Sequence, residues 1–119
     1  MNRELPESHP DVFDLDELIS RCLGNIDLAE RIIATFQSGF EADLSELEKA
    51  VRAQNAELTA GIAHRLKGAS ASASAHSLRN RMSEIERLAR QDNLTEMPLH
   101  LEKLRGDWQD FTQRVARSN

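Results

Sequence analysis

Of the four histidines in the chain, His64 is the one whose neighbours form a pattern. On a helix, residues three and four apart are neighbours. Around His64 these are Ala60 and Gly61 one turn before, Lys67 and Gly68 one turn after, and Ala71 and Ser72 two turns after. An imidazole standing over a stripe of small residues, with a cation beside it, can act as a nucleophile towards a group carried in by a second surface. The local charge says which group. Between Gly61 and Gln91, Arg65, Lys67, Arg79, Arg81, Arg87 and Arg90 face only Glu84 and Glu86, a field that suits an anion, a phosphoryl group above all. Two glycines inside a helix cost on the order of 1 kcal/mol each relative to alanine, and close approach by another protein supplies a reason for them. Two plainer readings stand beside this one: a solvated surface histidine near a lysine, and a small-residue seam that lets two helices pack closely.

The elements that must hold this face are helices. Prolines fall only at 6, 10 and 98, and the apolar residues recur at three and four with no convincing alternation. A short first helix starts at an Asp14 N-cap with Glu17 as its reciprocal partner, carries Leu15, Leu18, Ile19 and Leu23, and ends at Gly24. A long second helix begins near Asp27 and ends near Asn55, with Leu28, Ile32, Phe36, Phe40, Leu44, Leu47 and Val51 on one side. The third, from about Glu57 to Ala73, turns Leu58, Ile62, Leu66 and Ala69 inward, which leaves His64 outside the core. The fourth, Ser77 to Arg90, buries Leu78, Met82, Ile85 and Leu88. The fifth carries Met97, Leu101, Leu104, Trp108, Phe111 and Val115. Short connections make consecutive helices antiparallel. The expected fold is therefore all-α, an up-down-up-down four-helix bundle over residues 12–116 with a short extra N-terminal helix, a flexible segment at 1–11 and a tail at 117–119.

Composition narrows the function. The 119 residues bound a single domain, and a net charge of −5 with five aromatics and no long basic stripe argues against nucleic acid. That charge divides unevenly, with 5 basic and 13 acidic side chains in residues 1–60 and 10 basic and 7 acidic in residues 61–119. The single cysteine, Cys22, excludes an internal disulfide and any CxxC motif and reads as a small buried residue. There is no basic-then-apolar start of a signal peptide and no run approaching roughly 18 apolar residues, so a cytoplasmic location is expected. His9, His76 and His100 read as surface residues. No pattern of ligands suits a metal site in a bundle.

The run His64-Arg65-Leu66-Lys67-Gly68-Ala69-Ser70 resembles the signature of histidine-containing phosphotransfer (HPt) domains. The resemblance extends to the acidic, leucine-rich first helix, Phe13 to Leu18, and to the phenylalanines Phe36 and Phe40 of the second, covering roughly residues 12–116. It implies that His64 accepts a phosphoryl group from the aspartate of one receiver domain and passes it to another. It further implies that Lys67 steadies the phosphoryl oxygens, that Gly68 leaves room for the receiver, and that Glu86 accepts a hydrogen bond from the imidazole. The docking face would comprise Ala60, Gly61, Arg65, Gly68, Ala71 and Ser72. The partners implied are receivers of response regulators or hybrid sensor kinases, with no nucleic acid and no membrane. The chain is expected to be a monomeric, free-standing carrier, with Mg²⁺ on the receiver, no intrinsic cofactor and no turnover of its own. The sequence departs from the family where Ala73 and Ser74 replace a bulky apolar residue and a glycine. A helical adaptor that binds a partner through the face around His64 without chemistry is the alternative.

Overall fold

The structure, a computed structural model, describes residues 10–118; most of the expected flexible segment at 1–11 lies outside the described residues. Five helices and no strand occur among them: α1 (Leu15–Arg21), α2 (Ile26–Arg52), α3 (Ala56–Ser72), α4 (His76–Arg90) and α5 (Met97–Ser118). Helix α5 runs through Ser118, so residue 117, expected in a tail, is helical. Each long helix packs on the next and α5 returns to α2, closing the bundle. Helix α1 lies over the end formed by the α3–α4 turn, where Asp14 N–H donates to Ser74 O at 3.0 Å and Ser77 N–H to Val12 O at 3.4 Å.

The helix starts follow local chemistry. Side-chain oxygens of Asp14, Asn25 and Asn55 each accept the N–H three residues on, from Glu17, Leu28 and Leu58 at 3.0 Å, satisfying donors that have no partner within the helix. The reciprocal arm expected from Glu17 to Asp14 is not made, because the Glu17 carboxylate is turned towards Ser74 and His76.

The ends of α1 to α4 share one geometry. Leu23, Gln54, Ser74 and Asp92 adopt left-handed backbones with φ between 54 and 58°. The following N–H then reaches back to the carbonyl of Ile19, Ala50, Ser70 or Leu88 at 2.9–3.0 Å, the double closure of a Schellman cap. The expected terminator Gly24 is therefore displaced by one: Leu23 takes the cap position and Gly24 follows with φ 84°. At α2–α3 the residue that closes one helix, Asn55, also caps the next, so the chain reverses within three residues and the helices lie antiparallel.

All five aromatic residues form one cluster. Phe40 stacks on Trp108 with centroids 4.0 Å apart, Phe36 meets Phe40, Trp108 and Phe111 edge-on, and Phe13 closes on Phe111. Each such pair adds about 0.5–1.5 kcal/mol beyond its area. The indole N–H, which would be costly to bury unpaired, donates to Glu41 Oε2 at 2.6 Å.

Helix α3 departs from its expected phase. Leu58 is 50% exposed and Ala69 is also exposed, while the buried face reads Thr59, Ala60, Ile62, Ala63, Leu66 and Ser70. Two buried hydroxyls make this possible, since Thr59 Oγ1 and Ser70 Oγ donate to the carbonyls four residues back at 2.7 Å and so enter the core already satisfied.

Candidate functional site

Helices α3 and α4 are the most extensively packed pair in the bundle. Buried alanines on both, Ala60 and Ala63 on α3 and Ala89 on α4, keep their surfaces shallow and let a side chain of one helix reach the other. Glu86 projects from α4 beneath His64 and is 7% exposed. Its Oε2 lies 3.0 Å from His64 Nδ1 and also accepts from Arg90 Nε at 2.9 Å and Nη2 at 2.7 Å. Its Oε1 pairs with Lys67 Nζ at 2.7 Å.

Burial alone pushes the Glu86 carboxyl up. The hydrogen bonds from Lys67 and Arg90, the Lys67 charge and the His64 ring outweigh it and bring the group down to about 2. Glu86 is therefore an anion, able only to accept hydrogen bonds. In the neutral imidazole the proton consequently resides on Nδ1, facing Glu86, and the lone pair resides on Nε2. Nε2 has no protein partner among the described residues, on a side chain that is 65% exposed.

The other expected site residues fall as follows. Gly61 and Gly68 are exposed beside His64, Ser72 is exposed near the end of α3, and Ala71 is half-buried. Ala60 is corrected: at 2% exposure it faces the core and presents nothing to a partner, because α3 is rotated towards α4. Arg65 is exposed and paired with Asp43 at 3.1 Å. Lys67 is one-third exposed and held by Glu86. A Cβ added at Gly61 or Gly68 would meet nothing within 4 Å, so packing inside the chain does not require either glycine. Arg90 was missed by sequence reasoning; its signal was the spacing of four from Glu86, a favourable helical ion-pair register.

Two further histidines are corrected. His76 is not a plain surface residue: its Nε2 lies 2.9 Å from Glu17 Oε1 with the side chain 25% exposed, and its Nδ1 is buried without a partner. His100 is half-buried, its Nδ1 likewise. His9 lies outside the described residues. Asp14, Glu17 and His76 bring three potential metal-ligand atoms within 4.8 Å of one another, but Glu17 Oε1 already receives Ser74 Oγ at 2.8 Å and Arg21 Nη1 at 3.5 Å, so a cation is already supplied by the protein. Cys22 is buried and free. No helix among the described residues is long and apolar enough to cross a membrane.

Among the described residues this all-α bundle displays one exposed imidazole, His64, anchored from below by a buried carboxylate and flanked by small residues. The chain matches the Hpt domain family over residues 31–117 and belongs to it. Membership implies a role as a phosphotransfer intermediate in a phosphorelay, and Hpt domains generally interact with receiver domains. No curated protein and no solved structure matches the chain.

Proposed function

We propose that His64 Nε2 is the phosphoryl acceptor and donor of this phosphorelay protein, taking the group from the aspartyl phosphate of one receiver domain and giving it to the aspartate of another. The observation that carries this is the asymmetry of the imidazole, with Nδ1 held at 3.0 Å by an anionic Glu86 and Nε2 left free on an exposed ring. The Nε2 lone pair attacks phosphorus, the Nε2–P bond forms as the P–O bond to the receiver carboxylate breaks, and the carboxylate leaves as an anion. The Nδ1 proton stays where it is. The ring thereby gains positive charge, and the Glu86 carboxylate beneath it balances that charge as it develops. Lys67, one turn away, is placed to share its ammonium between Glu86 and the phosphoryl oxygens. Such transfer depends on alignment and charge stabilisation, and Mg²⁺ bound to the receiver is expected to supply the remaining positive charge. Gly61 and Gly68, unneeded by internal packing, leave the clearance a receiver needs to bring its aspartate in line.

The test is to mix the protein with a receiver carrying radiolabelled phosphate and follow acid-labile, base-stable label. Label on the wild type and none on His64→Gln is the expected result. Label that persists in the variant overturns the assignment. Binding without transfer, unchanged in His64→Ala, identifies an adaptor instead.

A further inference from the structure

Six cations lie between Gly61 and Gln91, and five of them are committed within the protein. Arg65 pairs with Asp43, Lys67 and Arg90 with Glu86, Arg81 with Asp107, and Arg87 with Glu84. The sixth, Arg79, is exposed and its side chain has no hydrogen bond or ion pair among the described residues. It stands in the first turn of α4, where a positive charge opposes the helix dipole, so helix stability does not account for it. Arg79 also lines an open depression of about 380 Å³ between α3 and α4, together with His64, Lys67, Gly68, Ala71, Asn80 and Ser83. None of these lining residues is acidic, and Asn80 and Ser83 are exposed hydrogen-bonding groups. The depression thus runs from the proposed nucleophile towards the α3–α4 turn and ends on a cation with no counter-ion of its own.

We infer that this depression seats an acidic side chain of the docked receiver, with Arg79 as its counter-ion and Asn80 and Ser83 as neutral donors. The inference rests on the phosphorelay reading and deepens it. Charge complementarity selects the occupant: the depression is lined by cations and neutral polar groups with no carboxylate of its own, so a carboxylate presented by the docked receiver is the side chain that it favours. Arg79 then belongs to partner recognition, apart from the phosphoryl group itself, and charge pairing at such a position acts through the encounter and lifetime of the complex.

Two phosphodonors separate these roles. Phosphoramidate labels an accessible imidazole directly, the P–N bond breaking as Nε2–P forms and ammonia leaves, with no docking surface involved. A panel of receiver domains from the same organism, each charged with radiolabelled acetyl phosphate, requires docking. In Arg79→Glu, the receiver concentration giving half-maximal transfer is expected to rise about tenfold or more. Arg79→Lys should stay near wild type, raised salt should narrow the gap, and phosphoramidate labelling should be unchanged in both variants. Receiver transfer by Arg79→Glu equal to wild type overturns the inference. So does an equal loss with phosphoramidate, which would place Arg79 on the phosphoryl group. Wild-type protein that takes label from neither donor overturns the reading of His64 instead.

Discussion

Among the described residues two histidine–glutamate pairs join separate helices, and they are built in opposite senses. His64 meets Glu86 through Nδ1 at 3.0 Å on a ring 65% exposed; His76 meets Glu17 through Nε2 at 2.9 Å on a ring 25% exposed, with Nδ1 buried. The first arrangement holds a ring and presents its far nitrogen outward. The second uses the far nitrogen to tie α1 to the α3–α4 turn, where Arg21 also donates to Ser72 O and Ser74 Oγ at 2.8 Å. The carboxylates differ in step: Glu86 is buried and anchored by two cations, Glu17 is half-exposed and fastened by a hydroxyl and an arginine. Contact between a histidine and a glutamate therefore says little about function; which nitrogen is left over, and whether it reaches solvent, says a great deal.

The comparison breaks most sharply on the rings themselves. His64→Gln is expected to abolish acid-labile label, whereas His76→Gln keeps it; the reverse result would reverse the two roles. Next comes the anchor. Glu86→Leu removes the acceptor at Nδ1, and transfer is expected to fall roughly 10²-fold, the scale of a small misplacement of a reacting group. Glu86→Gln, which retains an oxygen acceptor, should lose far less, and ¹⁵N spectra of the His64 ring should show the Nδ1–H tautomer in wild type and its loss in Glu86→Leu. Stability against pH gives a third contrast. Because the Glu86 carboxyl is lowered from 4.5 to about 2, its contribution is fully present above about pH 4.5 and is lost as pH falls towards about 2. Urea midpoints across that window should decline in wild type and decline less in Glu86→Gln. A smaller effect is expected at the other pair: His76→Ala should lower unfolding free energy by about 1 kcal/mol in urea titrations while leaving phosphoryl transfer intact. Smallest in stability, and opposite in sign, Gly68→Ala should stabilise α3 by up to about 1 kcal/mol while slowing transfer from a receiver.

Much of this architecture was legible in the chain. Asp14 and the asparagines before α2 and α3 are strong cap residues, and the apolar spacing follows the buried row of α2 from Phe36 to Val51 and most of those of α4 and α5, whereas at the start of α2 Ala29 and Ile33 are buried in place of the exposed Leu28 and the half-buried Ile32. What resisted was α3. Its buried face is made of Ala60, Ala63, Thr59 and Ser70, residues that carry little hydrophobic signal, whereas Leu58 carries a strong one and lies outside. The helix ends were hidden for a related reason, since three of the four left-handed caps are occupied by Gln54, Ser74 and Asp92 with no glycine at or beside them, against the usual preference.

The site divides along the same line. The sequence by itself determined that His64, Lys67 and Gly68 share a helical face and that the second half of the chain is locally basic, because helical neighbours and charge counts follow from spacing alone. Only the tertiary structure decided that Lys67 and Arg90 converge on one buried carboxylate, that Ala60 turns inward, and that Arg79, of the six cations between Gly61 and Gln91, is the one with no partner among the described residues. Those facts depend on how far α3 rotates as it packs on α4. That rotation is set by the volumes of small side chains at a close interface, and spacing along a chain does not encode it.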